Sequence, residues 1–250
     1  MGLKLDRLTL KYREKVILQD ISLDIKKGDV VAILGPNGVG KTTLLKGILS
    51  LINSDGNCYL DEVNLKKCSL VERAKYLAYV PQSTNINFSI TVIDYICMGK
   101  VGNEREDKIE ILKKANELIK VLELERLALK DIFKLSGGER QKVMIAKAII
   151  QDTKVIVLDE PTSNLDIKSQ KKVLEFLKLI ASEKDLIIIM SIHDLGLANK
   201  YCNKFLFLKD KKIFAYGNNS EVLTKENIEV IYETDIEIIQ HKGRKKILIV

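Results

Sequence analysis

The chain has no uninterrupted apolar run near the roughly 20 residues needed to cross a bilayer. Its longest candidates, such as Leu186 to Met190, have the length of a strand. The opening, Met1-Gly2-Leu3-Lys4-Leu5-Asp6, is broken by charge before an apolar stretch can form, which argues against a signal peptide. These absences predict a chain that is soluble by itself and not exported. Cysteine is sparse: four, at 58, 68, 97 and 202, with no C-x-x-C pair. That scatter argues against a zinc site or an iron–sulfur cluster and reads as reduced packing residues. No internal repeat, low-complexity segment or long heptad pattern is present. What is present is apolar residues, 46% of 250, enough for a sizeable core in one large domain or two modest ones. The net charge of +7 raises the question of nucleic acid. Lysines are nevertheless interspersed with Glu and Asp throughout, and the denser groups, Lys209 to Lys212 and Lys242 to Lys246, sit between apolar runs as turns would. The charge reads as solvated surface, with no nucleic-acid partner expected.

Alternating apolar residues at Leu3, Leu5, Leu8 and Leu10, then Ile21, Leu23 and Ile25, predict antiparallel strands closed by a turn at Lys27-Gly28-Asp29. Asn53 to Asn57 reads as a polar turn before a strand near Tyr59-Leu60. Ile111, Leu112, Ala115, Leu118, Ile119 and Leu122 recur at helical spacing within 104–124, and a second helix covers about 138–150. Val155 to Leu158 and Leu186 to Ile189 read as buried parallel strands separated by a helix near 168–181. Short strands follow at 205–208, 213–216, 236–239 and 247–250. The pattern is an α/β core interrupted by a mostly helical insert at 85–150.

Residues 35–42 read Gly35-Pro36-Asn37-Gly38-Val39-Gly40-Lys41-Thr42, between the apolar run Val30 to Leu34 and the helix start Thr42-Thr43-Leu44-Leu45. This is the G-x-x-x-x-G-K-[ST] pattern of a phosphate-binding loop in its expected strand–loop–helix context. Glycines let backbone amides curl round a β-phosphate, and the helix aims its positive end at the same charge. Lys41 would reach the β- and γ-phosphates, and Thr42 would ligate Mg²⁺ through its hydroxyl. A Gly-rich turn that merely carries Lys-Thr is the competing interpretation, and the flanking strand and helix weigh against it. Asp159 and Glu160 end the strongest apolar strand, at the edge where open α/β sheets bind ligands. There Asp159 suits the Mg²⁺ shell and Glu160 the polarisation of an attacking water. Leu135-Ser136-Gly137-Gly138-Glu139 contains a Ser-x-x-Glu capping box. Its two glycines weaken a first helical turn, so something is expected to approach that backbone closely, a second copy's nucleotide phosphate being one candidate.

With these motifs in this order, the chain resembles the ATP-binding subunits of ABC transporters over essentially its whole length. The resemblance rests on 35–42, Gln82 after Tyr79-Val80-Pro81, the run 135–139, Val155 to Glu160, Ser163-Asn164-Leu165-Asp166, and His193 after a strand. It implies an α/β fold: a P-loop NTPase core with an N-terminal antiparallel β subdomain and a mostly helical insert. The expected organisation is one domain over 1–250, with the insert at 85–150 and a short C-terminal extension at 218–250. It also implies a head-to-tail pair of copies, each ATP lying between the phosphate loop of one and Ser136, Gly137 and Gly138 of the other. Gln82 would sense Mg²⁺ and the γ-phosphate, and His193 would contact the γ-phosphate. Asp166 would lie in a loop communicating across the dimer, and Tyr12 would stack on adenine. The implied catalytic set is Glu160, His193 and Gln82, and the Mg²⁺ set Thr42, Gln82 and Asp159.

Three stretches resemble the branch that energises import of iron(III)–siderophores, haem or cobalamin. They are Tyr79 to Gln82 with Thr91-Val92, Asp94 and Met98-Gly99; Leu165 to Gln170; and Glu221 to Thr224 with Val230-Ile231-Tyr232. The chain departs from that branch in the shorter segment beginning Lys100-Val101-Gly102-Asn103. Manganese and zinc importers resemble the same middle segment and stay open as an alternative. A soluble ABC ATPase acting on nucleic acid or ribosomes is the alternative of a different class. The resemblance implies membrane permease subunits as partners, a substrate-binding protein indirectly, and residence at the cytoplasmic face of the cell membrane. Ile86, Phe88 and Ile90, apolar in a polar segment after Gln82, are read either as an anchor to the core or as lining for a permease helix.

Overall fold

The structure, a computed structural model, describes residues 2–83, 86, 88–100, 107–241 and 244–249. A four-stranded antiparallel sheet, in the order β2-β1-β4-β5, contains β1 (Gly2–Tyr12), β2 (Lys15–Lys26), β4 (Ser54–Leu60) and β5 (Val63–Asn64). A six-stranded sheet runs β10-β9-β3-β8-β7-β6 and contains β3 (Val30–Leu34), β6 (Leu77–Val80), β7 (Val155–Asp159), β8 (Ile187–Ser191), β9 (Lys204–Lys209) and β10 (Lys212–Gly217). Its pairings are parallel except β9 with β10. A separate hairpin joins β11 (Ile236–His241) to β12 (Arg244–Ile249).

The continuous apolar runs of the central strands follow from burial on both faces. Val30, Ala32 and Leu34 of β3 pack into one core, and Val31 and Ile33 into another. The same period of two divides Ile156 and Leu158 from Val155 and Val157 in β7, and Phe205 and Phe207 from Leu206 and Leu208 in β9. One core holds α1 (Lys41–Ile48) between the two sheets through Leu44, Leu45 and Ile48. The other holds α3 (Val92–Cys97), α4 (Lys108–Val121), α5 (Gly137–Ile150), α6 (Ile167–Glu183) and α7 (Leu195–Tyr201). Three short helices complete the described set: α2 (Leu70–Arg73), α8 (Asn219–Val222) and α9 (Lys225–Tyr232).

Two local expectations are corrected. The β1–β2 hairpin turns at Arg13-Glu14, where Tyr12 pairs with Lys15 and Arg13 takes a left-handed φ of 54°. The 27–29 turn instead carries β2 into β3, held by Asp29 Oδ2 accepting the Lys26 amide at 2.9 Å. The segment 53–57 is mostly strand: β4 starts at Ser54 and pairs with Leu10, and Gly56 lies where the β1–β4 register shifts between Asp6 and Thr9. The four cysteines are free, and burial pushes the thiols of Cys58 and Cys202 up to about 12, which keeps them as packing groups. Among the described residues no helix is long and apolar enough to cross a membrane.

Candidate active site

β3 delivers the chain into the 35–40 loop, and the loop into α1. Gly40 stands at the N-cap of α1 with φ 111°, and a Cβ there would meet Leu18 and Ile17 side chains at 3.2–3.3 Å. The positive φ favours glycine here, and a side chain would also have to press Leu18 and Ile17 aside by a few tenths of an ångström. The helix start is distinctive. Among the described residues, every α-helix except α1 has a side-chain oxygen at its N-cap accepting a first-turn amide. The first-turn amides of α1 have no such partner, so the loop presents uncompensated donors at the positive end of a helix. Pro36, Asn37, Gly38 and Val39 form the loop itself, closed by the Val39 amide donating to the Pro36 carbonyl at 3.5 Å. The Lys41 ammonium donates to the carbonyls of Gly35 (2.7 Å) and Pro36 (3.0 Å). Burial lowers its pKa from the ordinary lysine value, with Glu160 and Asp159 opposing the shift.

Thr42, next along, donates through Oγ1 to Asp159 Oδ1 at 3.1 Å. Asp159 is buried at the end of β7, and the same oxygen accepts Ser191 Oγ at 2.7 Å. Glu160 follows in a left-handed conformation, φ 49°, with its amide donating to Ser191 Oγ at 2.8 Å. Both oxygens of Glu160 are engaged: Oε2 accepts Gln82 Nε2 at 2.8 Å, and Oε1 lies 2.7 Å from His193 Nε2. Residues from 41 to 193 thus converge on one carboxylate pair at the carboxyl edge of the sheet. Thr43 continues α1, half-buried behind Thr42.

The remaining candidate residues stand apart from this cluster. Tyr12 is 65% exposed, at the tip of the hairpin whose Ile17 and Leu18 abut Gly40. Ser136 is the N-cap of α5 in a full capping box: its Oγ accepts the Glu139 amide at 3.3 Å, and Glu139 Oε2 accepts the Ser136 amide at 2.8 Å. Ser136 and Gly137 are exposed. A close approach is present at Gly138 alone, and it comes from this chain: a Cβ there would lie 2.6 Å from the Asn164 carbonyl oxygen, whereas one on Gly137 would meet Asn164 at an ordinary 3.7 Å. Asn164 belongs to the 163–166 segment that ends in Asp166, the N-cap of α6, whose carboxylate accepts the Ser169 amide at 2.9 Å. The amides of Gly137 and Gly138 lie in a first turn with no intrahelical acceptor and stay open to a ligand from outside.

Ser191 and Tyr232, whose hydroxyls meet Asp159 and the Gly35 amide, carry no local sequence signal for these contacts. Ser191 sits in an apolar strand with no motif spacing, and only the parallel register Asp159↔Ser191 reveals it. Tyr232 stands out in the sequence only within a stretch that resembles the importer branch.

Comparison with known proteins decides the family. The family model described as "ABC transporter" matches residues 18–163. The chain belongs to the ABC transporter family. An uncharacterized ABC transporter ATP-binding protein of Methanocaldococcus jannaschii is 40% identical, over 97% of this chain and 96% of its own length. The Helicobacter pylori protein named "Probable iron chelatin transport ATP-binding protein" is 35% identical over 98% of both. Among solved structures, one described as "An inward-facing conformation of a putative metal-chelate type ABC transporter" superposes with a TM-score of 0.82 at 28% identity, covering 100% of this chain and 96% of that one. A dimeric ATP-binding cassette in a post-hydrolysis state, bound to ADP and Pi, superposes at 0.79 and 28% identity, covering 86% and 98%. The fold is that of the ABC ATPase, and this ABC protein binds ATP and hydrolyses it in support of transport.

Proposed function

We propose that this ABC ATPase powers import of an iron(III)–siderophore, haem or cobalamin, acting as a pair of identical copies held at the cytoplasmic face of the membrane by permease subunits. A substrate-binding protein would feed the same permease. The similarity to proteins named for iron-chelate transport and to a metal-chelate type transporter supports the substrate class. The dimeric cassette with ADP and Pi supports the pairing. In that pairing the Ser136-Gly137-Gly138 turn of one copy meets the nucleotide on the phosphate loop of the other, and Tyr12 lies against adenine.

The donor set beside the loop suits Mg²⁺. A hydroxyl (Thr42) and a carboxylate (Asp159) meet at 3.1 Å, with the Gln82 amide near the same carboxylate pair. A hard cation that takes most of its ligands from phosphate and water needs no more protein oxygens than these. Mg²⁺ held there supplies neutralisation of charge on the β- and γ-phosphates.

The observation that carries the reading is Glu160, held on a left-handed backbone with both oxygens fixed by Gln82 and His193. A carboxylate so oriented can take a proton from a water aligned with a γ-phosphate, while Asp159 stays committed to Thr42 and Ser191. Phe88 is 49% exposed, whereas Ile86 is buried in the core and Ile90 half-buried against it. Beside them a groove of about 650 Å³ runs between Ser89, Thr91, Asp94 and Lys130, Asp131, Lys134. It is the place where a short permease helix would sit.

Replacing Glu160→Gln tests the assignment. Hydrolysis is expected to fall by at least about a hundredfold while ATP binding persists, and an ATP-bound dimer should accumulate on size-exclusion chromatography. Undiminished hydrolysis by the purified variant would remove Glu160 from this role.

A further inference from the structure

Tyr232 is 197 residues from Gly35 in sequence, yet its hydroxyl oxygen accepts the Gly35 amide at 3.2 Å. The contact is built from both sides. The Tyr232 ring meets Phe207 edge-on, with centroids 6.2 Å apart and planes at 79°, and Phe207 pairs with Leu34, the last residue of β3. One turn away, Lys209 Nζ donates to the Val230 carbonyl at 2.6 Å and lies 3.8 Å from Glu233. Helix α9 is therefore fastened to β9, and β9 to the strand that ends at the phosphate loop. Gly35 itself has little room: a Cβ there would lie 3.1 Å from both the Leu208 carbonyl and Val39 Cγ1.

Gly35 is held twice by side chains. Tyr232 holds its amide, and Lys41 holds its carbonyl at 2.7 Å. Under the proposed function these two ties differ in fate. The Lys41 ammonium is the group that passes to the β- and γ-phosphates, and in doing so it releases the Gly35 carbonyl. Tyr232 remains, satisfying a backbone donor that has no other partner among the described residues. We propose that Tyr232 is a positioning residue for ATP binding: its hydroxyl lets helix α9 hold the first residue of the phosphate loop in place as Lys41 transfers to the phosphates. The C-terminal extension then sets nucleotide affinity without touching nucleotide.

The test uses the full chain and the variant Tyr232→Phe, which removes one oxygen and keeps the ring on Phe207. The dissociation constant for Mg-ATP is expected to rise about three- to tenfold, the range of one neutral hydrogen bond. The change should fall on KM more than on kcat, and amide exchange at Gly35 should accelerate. Ile231→Val, a neighbouring buried substitution on the same helix, supplies the comparison for lost packing. An unchanged dissociation constant in Tyr232→Phe overturns the proposal. So does a rise no larger than Ile231→Val produces at an equal drop in melting temperature. Lys41→Ala separates the two readings. If it binds Mg-ATP as well as the unmodified chain does, the phosphate-loop reading itself fails; if it loses binding while Tyr232→Phe does not, only the role of Tyr232 fails.

Discussion

Ser191 Oγ performs two tasks at once, donating to Asp159 and accepting from the Glu160 amide, from a position with no solvent exposure. A hydrogen bond to a charged group is worth about 1.5–3 kcal/mol, and losing this one also strands the Glu160 amide. Ser191→Ala is expected to lower the hydrolysis rate at saturating ATP about tenfold, since a tenfold loss needs only about 1.4 kcal/mol of misplacement in the transition state. Steady-state phosphate release beside a melting curve checks it; a rate equal to that of the unmodified chain would mean that Asp159 and Glu160 hold their places without Ser191. Asp159 and Glu160 are legible at the end of an apolar strand, Gln82 and His193 only through the resemblance to ABC ATP-binding subunits, and Ser191 not at all, which is a matter of constraint. Phosphate chemistry demands particular residues at fixed spacings, whereas a serine in an apolar strand is meaningful only once the register of the neighbouring strand is known. Gly138 shows the converse. Its residue type correctly announced a close approach, but only the fold shows that the approaching atom is the Asn164 carbonyl.

The helices differ in how their starts are satisfied, and the difference separates structure from chemistry. Ser69, Thr91, Asp107, Ser136, Asp166, Asp194, Asn218 and Thr224 each cap a helix with their own side chain, while α1 leaves its first turn to a ligand. At Asp166 the Ser169 amide, then the Ser169 hydroxyl, hold the carboxyl pKa below its ordinary value. A pKa depressed in the folded state stabilises above the unfolded-state value, about 3.9 for Asp, and that stability is lost as the pH falls through the folded value. Asp166→Asn keeps a capping acceptor but cannot titrate. Its urea midpoint is therefore expected to lie below that of the unmodified chain at pH 7, and by a smaller margin at pH 3. A gap that is constant between the two pH values would show that the carboxylate charge contributes nothing. At this scale the sequence was legible for strands buried on both faces and for amphipathic α4, α5 and α6. It was not legible for the β1–β2 turn, because Arg13-Glu14 lacks the Gly or Asn that advertises a left-handed turn.

The molecule as a whole is two cores back to back on the six-stranded sheet, with the Glu160 cluster at one edge and the Ser136 turn on the helical side. Under the proposed head-to-tail pairing each site would be composite, and composition can be read by mixing. Subunits carrying Ser136→Arg combined with subunits carrying Lys41→Ala give a heterodimer with one doubly defective site and one intact site. Some hydrolysis should return relative to either variant alone, measured on isolated heterodimers. None returning would argue that each copy works on its own nucleotide. The antiparallel and parallel layers were readable from alternating versus continuous apolar patterns. The contact between Tyr232 and Gly35 was not, because nothing local in either segment encodes a partner so far along the chain. The same long reach shapes how the molecule is made. β1 finds β2 and β4 within the first 60 residues, but β3 is bonded only to β8 and β9, beginning at Ile187 and Lys204. With translation at about 5–20 residues per second, Val30 to Leu34 leaves the ribosome roughly 8–30 seconds before either neighbour exists. Through that interval the early sheet can shield Val31 and Ile33, while Val30, Ala32 and Leu34 wait uncovered, so a central strand of the finished protein spends much of its synthesis with one apolar face bare.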